Sequence, residues 1–110
     1  MNPLDPNAIL YKDGLFFAQM EFGNYETALD LIEEIISQFP KTGNRRGFKA
    51  SVMGYLDKGE EAKQALDDYL ALRPNLKTRE GYKRIFVPNS SLADILIEGL
   101  IKAGWEPEGG

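Results

Sequence analysis

Gly23-Asn24-Tyr25-Glu26-Thr27-Ala28 returns in altered form as Asp57-Lys58-Gly59-Glu60-Glu61-Ala62, 34 residues later. This pair decides how the chain is read, because self-similarity at a period of tens of residues marks a repeat architecture. The same offset aligns Phe22 with Leu56, Ala28 with Ala62, Ile32 with Leu66, and Phe39-Pro40 with Arg73-Pro74. A small alanine near the start of a helix lets a paired helix approach closely. A proline ends that helix, because it has no N–H to donate and its ring clashes with the preceding turn.

Outward from this repeat, every segment reads as helix. Tyr25, Ala28, Leu29, Ile32, Ile35, Ile36 and Phe39 recur at helical spacing, with Glu26, Asp30, Glu33, Glu34 and Gln38 on the other side. Before them, Asp5-Pro6 has the form of an N-cap followed by proline at the first helical position, and Gly23 stands where a left-handed C-terminal residue belongs. Between lie Ile9, Leu10, Leu15, Phe16, Met20 and Phe22, a looser helical pattern weakened by Gly14. A turn over 41–44 precedes a third helix at about 45–56, carrying Phe48, Val52, Tyr55 and Leu56 inward. Ala62, Ala65, Leu66, Tyr69 and Leu70 give a fourth, and Thr78 caps a short fifth running to Phe86. Ser91 with Asp94 makes a capping-box-like start to the last, over 92–103, with Gly104 beyond it. The chain is therefore expected to be all-α, with five or six helices and no strand.

The period and the Gly23–Ala28 block followed by Pro40 resemble the tetratricopeptide repeat, a helix–turn–helix unit. The resemblance covers residues 9–74 and implies one domain over 1–110: repeat one at about 9–42, repeat two at about 43–76, and a C-terminal helical cap at about 77–104. It implies antiparallel helix pairs, a fragment of an α-solenoid closed by a capping helix. Phe16 stands where the family has a small residue, whereas Ala50 fits that place, and Asp57 replaces the interhelical glycine of repeat two. The run Leu70 to Leu76, the basic short helix and Leu92 to Gly104 are similar to the C-terminal end of bacterial tetratricopeptide proteins, including those joined to nucleotide cyclases or winged-helix regulators.

Composition narrows the chemistry. The chain has 110 residues, no Cys and no His, so disulfides, Cys or His zinc ligands, cysteine nucleophiles and His-based triads are excluded. Its formal net charge of −4 argues against general nucleic-acid binding. The pairs Glu33-Glu34, Glu60-Glu61 and Asp67-Asp68 are sequence neighbours that diverge on a helix, so they make solvated faces rather than acid/base pairs. No Gly-rich phosphate loop or metal spacing occurs. Neither a catalytic residue, a metal nor a cofactor is expected. No secretory signal or bilayer-spanning run is read, so the expected compartment is the cytoplasm, without membrane or nucleic-acid partners.

The expected role is a non-catalytic interaction module. The resemblance places its partner groove on the concave side of the first helix of each pair. That side holds Leu10, Asp13, Phe17, Met20 and Glu21 in repeat one, and Asn44, Gly47, Ser51, Gly54 and Tyr55 in repeat two. Asp13 and Glu21 have the wrong sign for clamping a terminal carboxylate; Phe17, Met20 and Tyr55 suit an apolar or helical peptide. Charge is segregated, with one base and seven acids over 1–40 but eleven bases and six acids over 41–84. The basic groups, Arg45, Arg46, Lys49 and then Arg73, Lys77, Arg79, Lys83 and Arg84, read as a solvated face or a surface for an acidic partner. The last helix carries Leu92, Ile95, Leu96, Ile97, Leu100 and Ile101 around more than one side, so it either caps repeat two or meets a second copy through Leu92, Ile95, Ile97 and Ile101. The alternative role is accordingly a self-associating regulatory segment of a larger bacterial signalling protein.

Overall fold

The computed structural model describes residues 6–40, 43–84 and 90–108, with side chains from residues 11, 43 and 91 onward in the three stretches. Six α-helices account for most of them: α1 (Pro6–Phe22), α2 (Tyr25–Gln38), α3 (Gly43–Tyr55), α4 (Glu60–Leu72), α5 (Arg79–Lys83) and α6 (Ser90–Ala103). No strand occurs among the described residues. Asp5, Lys41, Thr42 and Phe86, invoked for a cap, a turn and a helix end, lie outside them.

The 34-residue period is written into the backbone. Gly23 takes φ +79 and Asp57, one period on, takes φ +54. Around each, the same two bonds close the helix end: Gly23 N–H to Met20 O and Asn24 N–H to Gln19 O, then Asp57 N–H to Gly54 O and Lys58 N–H to Met53 O. This is the Schellman arrangement, in which a left-handed residue turns the chain and satisfies the last carbonyls. The C-caps Phe39 (φ −134, ψ 69) and Arg73 (φ −131, ψ 63) repeat the relation. Burial repeats as well, for Phe16 and Ala50, Ala28 and Ala62, Ile32 and Leu66, and Ile35 and Tyr69.

Helices α1 and α2 form one antiparallel pair: the short turn at Gly23 joins them, and Lys12 near the start of α1 donates to Glu34 (2.8 Å) and Gln38 (3.1 Å) near the end of α2. Helices α3 and α4 form another, with Gly47 against the Tyr69 ring and Arg73 donating to Asn44. α3 packs most extensively, against α6 on one side and α4 on the other, while α2 joins the pairs. The radius of gyration, 13.2 Å, is that of a compact 110-residue domain.

Of two helix starts that the sequence reading marked, one is as expected and one differs. Thr78 caps α5 as expected, its Oγ1 accepting from Gly81 N–H at 2.9 Å. Ser91 does not cap α6, because the helix already includes Ser90. Asp94 instead pairs with Lys83 of α5 at 3.2 Å. At the other end of α6, Gly104 N–H bonds Ile101 O and Trp105 N–H bonds Leu100 O, a third Schellman end, with Gly104 at φ +119. The hydrophobic contact that accompanies this motif buries Trp105 among the core residues, close to Tyr82.

Candidate interaction surface

The α3 face is built for close approach, and α6 occupies it. A Cβ added at Gly54 would collide with the Gly99 carbonyl and lie 2.9 Å from Ala103 N; one added at Gly99 would collide with the Ser51 hydroxyl. With hydrogen at both positions the two helices touch backbone to backbone. Ser51, fully buried, donates to Leu96 O at 2.8 Å, and the Tyr55 hydroxyl donates to Ile95 O at 2.6 Å. Tyr55 also stacks on Tyr25, ring centroids 4.4 Å apart, with the Lys102 ammonium 6.0 Å from its ring. Burial, with Tyr25 and Glu98 acting in the same sense, pushes the Tyr55 phenol up to about 12. Burial does the same for Tyr69, to about 12, and holds Tyr82 well above its ordinary value. A buried phenol resists ionisation because the low-dielectric interior disfavours the phenolate.

This arrangement corrects the groove drawn from the sequence. Ser51 and Gly54 do not line an open groove; α6 lies on them. Gly47 is also closed off, because a Cβ there would sit 2.7 Å from the Tyr69 ring. Met20 is a core residue, 2% exposed, since it turns toward the other helices with Phe16. Asp13 is tied into a two-pronged ion pair with Arg45 across α1 and α3, Nε to Oδ1 at 3.0 Å. Phe17 is half-buried, its ring edge-on to Phe48 at 5.3 Å, and Phe48 stacks on Phe16 at 5.6 Å. Asn44 accepts from Arg73. Glu21 is exposed, and the Leu10 side chain lies outside the described ones. The groove residues are therefore not brought together as one open surface.

The surface expected on the last helix is likewise spent inside the chain. Leu92 and Ile97 are 4% and 2% exposed, and Ile95 and Ile101 pack half-buried against the same core. Much of the basic middle is also engaged. Arg45 holds Asp13, Arg46 donates to Pro40 O at 2.9 Å, Arg73 holds Asn44 and Lys83 holds Asp94. Among the described residues, no group of three acidic side chains is placed to hold a metal ion. None of the described helices is long and apolar enough to cross a membrane.

The large apolar side chains that stay outward among the described residues are Leu72, alone at the end of α4, and a group on α1. Tyr11, Leu15 and Phe22 are 63%, 37% and 77% exposed, whereas Phe16 and Met20, on the opposite side of the same helix, are buried. The sequence reading placed Leu15 and Phe22 in a single loose pattern with Phe16 and Met20. The signal that separates them is the spacing: Tyr11, Leu15, Ala18 and Phe22 follow one another at four, three and four residues, which is one stripe of a helix. Large apolar side chains gathered on one exposed face mark a contact surface more often than scattered ones do. Compared with known proteins, the chain matches no family model, no curated protein and no solved structure.

Proposed function

We propose that this chain is a non-catalytic protein-interaction module built from tetratricopeptide-like helix pairs, and that it meets its partner through the first pair. One observation carries this reading. The outward stripe of α1 exposes Tyr11, Leu15 and Phe22, while α3, packed between α4 and α6, exposes no large apolar side chain among the described residues. Capture experiments test the reading. The immobilised chain, exposed to a lysate of the organism that encodes it, should retain a small reproducible set of proteins that also cross-link to it in the cell. Retention of nothing above an unrelated acidic helical protein would overturn it.

A second reading, a self-associating regulatory segment, is favoured by one feature of the same stripe. Its spacing is symmetric, so an antiparallel copy of α1 would set Tyr11 against Phe22 and Leu15 against Ala18. Light scattering over a hundredfold range of concentration separates the two readings: a mass that stays at one chain throughout rejects self-association.

A further inference from the structure

The exposed stripe of α1 has a definite shape and a definite electrostatic setting, and together they specify the chemistry of what it meets. The steps of four, three and four residues between Tyr11, Leu15, Ala18 and Phe22 are those of an a/d seam, the pattern by which one helix packs along another. Near its middle, Gly14 is exposed with open space where a Cβ would be, and Ala18 is half-buried. A second backbone can therefore come close between the larger side chains at Tyr11, Leu15 and Phe22.

The surroundings are acidic. Residues 1–40 carry seven acids and a single base, Lys12. That base is already held by Glu34 and Gln38, and Asp13 is held by Arg45. Glu21 beside the stripe, and Glu26, Asp30 and Glu33 on the outer side of α2, stay exposed. We propose that the stripe docks an amphipathic helix whose apolar seam is flanked by lysine and arginine. A second copy of this chain is the poorer occupant, because it would bring two acidic first pairs together, and like charges across an interface oppose association. The inference rests on the reading of the chain as an interaction module and gives that module's partner a chemical class.

Binding of a synthetic three-heptad peptide, with Leu at a and d and Lys at e and g, tests it by fluorescence anisotropy on the full chain. One control scrambles the leucine positions at constant composition, and another replaces every Lys by Glu. The Lys-flanked peptide is expected to bind, and to weaken about tenfold between low salt and roughly 0.5 M salt as the flanking charges are screened. Leu15→Glu and Phe22→Ala should each weaken it about tenfold or more, since such anchors carry most of an interface's energy. Their circular dichroism should match the parent, because both side chains are exposed. Should either variant unfold, Glu21→Lys, on an exposed polar site, provides the same test from the charge side and should weaken binding several-fold. Equal binding of the scrambled or the Glu-flanked peptide overturns the proposal, as does unchanged binding by Leu15→Glu and Glu21→Lys. A concentration-dependent dimer of the parent chain that Leu15→Glu abolishes would assign the stripe to a second copy instead. Cellular partners whose capture survives Leu15→Glu would keep the interaction module and reject this docking face.

Discussion

Helices α1 and α3 hold equivalent places in the 34-residue period, yet one keeps an open outer face and the other is closed on both sides. The difference lies in side-chain size. α3 carries Gly47, Ala50, Ser51 and Gly54, and all four are buried. Gly47 admits the Tyr69 ring from α4, and Gly54 admits Gly99 from α6. One period earlier stand Asp13, Phe16, Phe17 and Met20. Bulk at these places holds neighbours at ordinary side-chain distance: Phe16 and Phe17 reach α3 through the Phe48 ring instead of through the backbone. Small residues at these places thus let α3 seat a helix at backbone distance, whereas the bulky ones of α1 meet α3 ring to ring.

The same chemical change should therefore have opposite effects in the two helices. Gly54→Ala places a Cβ into the Gly99 carbonyl, with backbone on both sides and no flexible side chain to yield. It is expected to cost about 3 kcal/mol, the upper end for overpacking, and to loosen α6. Gly14→Ala adds a Cβ to open space on α1 and should stabilise by about 0.5–1 kcal/mol through helix propensity. Urea denaturation of the two variants measures the contrast. Equal and small effects would mean that α6 does not lie on α3 at this distance.

Alkaline pH sharpens the comparison next, because the tyrosines whose ionisation is suppressed belong to the second half. Tyr55 and Tyr69 are pushed up to about 12 and Tyr82 is held well above its ordinary value, chiefly by burial. In the unfolded chain a tyrosine ionises near about 10. A raised folded value means that the folded state holds protons which the unfolded state releases. The contribution is thus complete below about pH 10 and is lost as the pH climbs toward 12. The urea midpoint should stay level to about pH 9 and fall beyond 10, with the α3–α6 contact loosening as Tyr55 ionises. Tyr69→Phe should flatten that fall. Phenolate absorbance that titrates fully near 10 while the helix signal persists would contradict the packing around α3.

The sequence shows these two halves unevenly. The helix count, the ends at Gly23 and Gly104, the Thr78 cap and the buried Ala28 and Ala62 are all legible, because periodicity, capping and turn conformation are local properties. The open stripe of α1 was hidden by its own composition. Apolar residues all round a helix do not say which side the fold covers, and Phe17, Met20 and Leu15 look alike until neighbours are placed. The seat of α6 was hidden for another reason. Gly54 and Gly99 are 45 residues apart, and only a particular crossing of two helices makes both need hydrogen. That is why Ser51, read as lining a groove, lies beneath a helix, and why Leu92 and Ile97 are core rather than a dimer face. Trp105 could have been anticipated: a hydrophobic residue just after a left-handed glycine has a standard contact to make with the last turn.

The smallest expected effect concerns the one place where the two halves share a backbone conformation but not a residue. Gly23 and Asp57 both turn the chain with positive φ and close their helices with matching bonds. For glycine this region is as accessible as any other. For aspartate it costs of the order of 1 kcal/mol, because Cβ crowds the following carbonyl. The Asp57 side chain is exposed, so little packing is lost with it. Asp57→Gly should therefore stabilise, though only by about 0.5 kcal/mol, since the extra freedom of glycine in the unfolded chain offsets part of the gain. Gly23→Asp should destabilise by a similar amount, and the exchange of both residues should be nearly neutral if the two turns are equivalent. Urea midpoints of the three variants decide the matter. If Asp57→Gly destabilises, the aspartate holds its turn through its side chain, and the two ends of the period are built on different physics despite their common geometry.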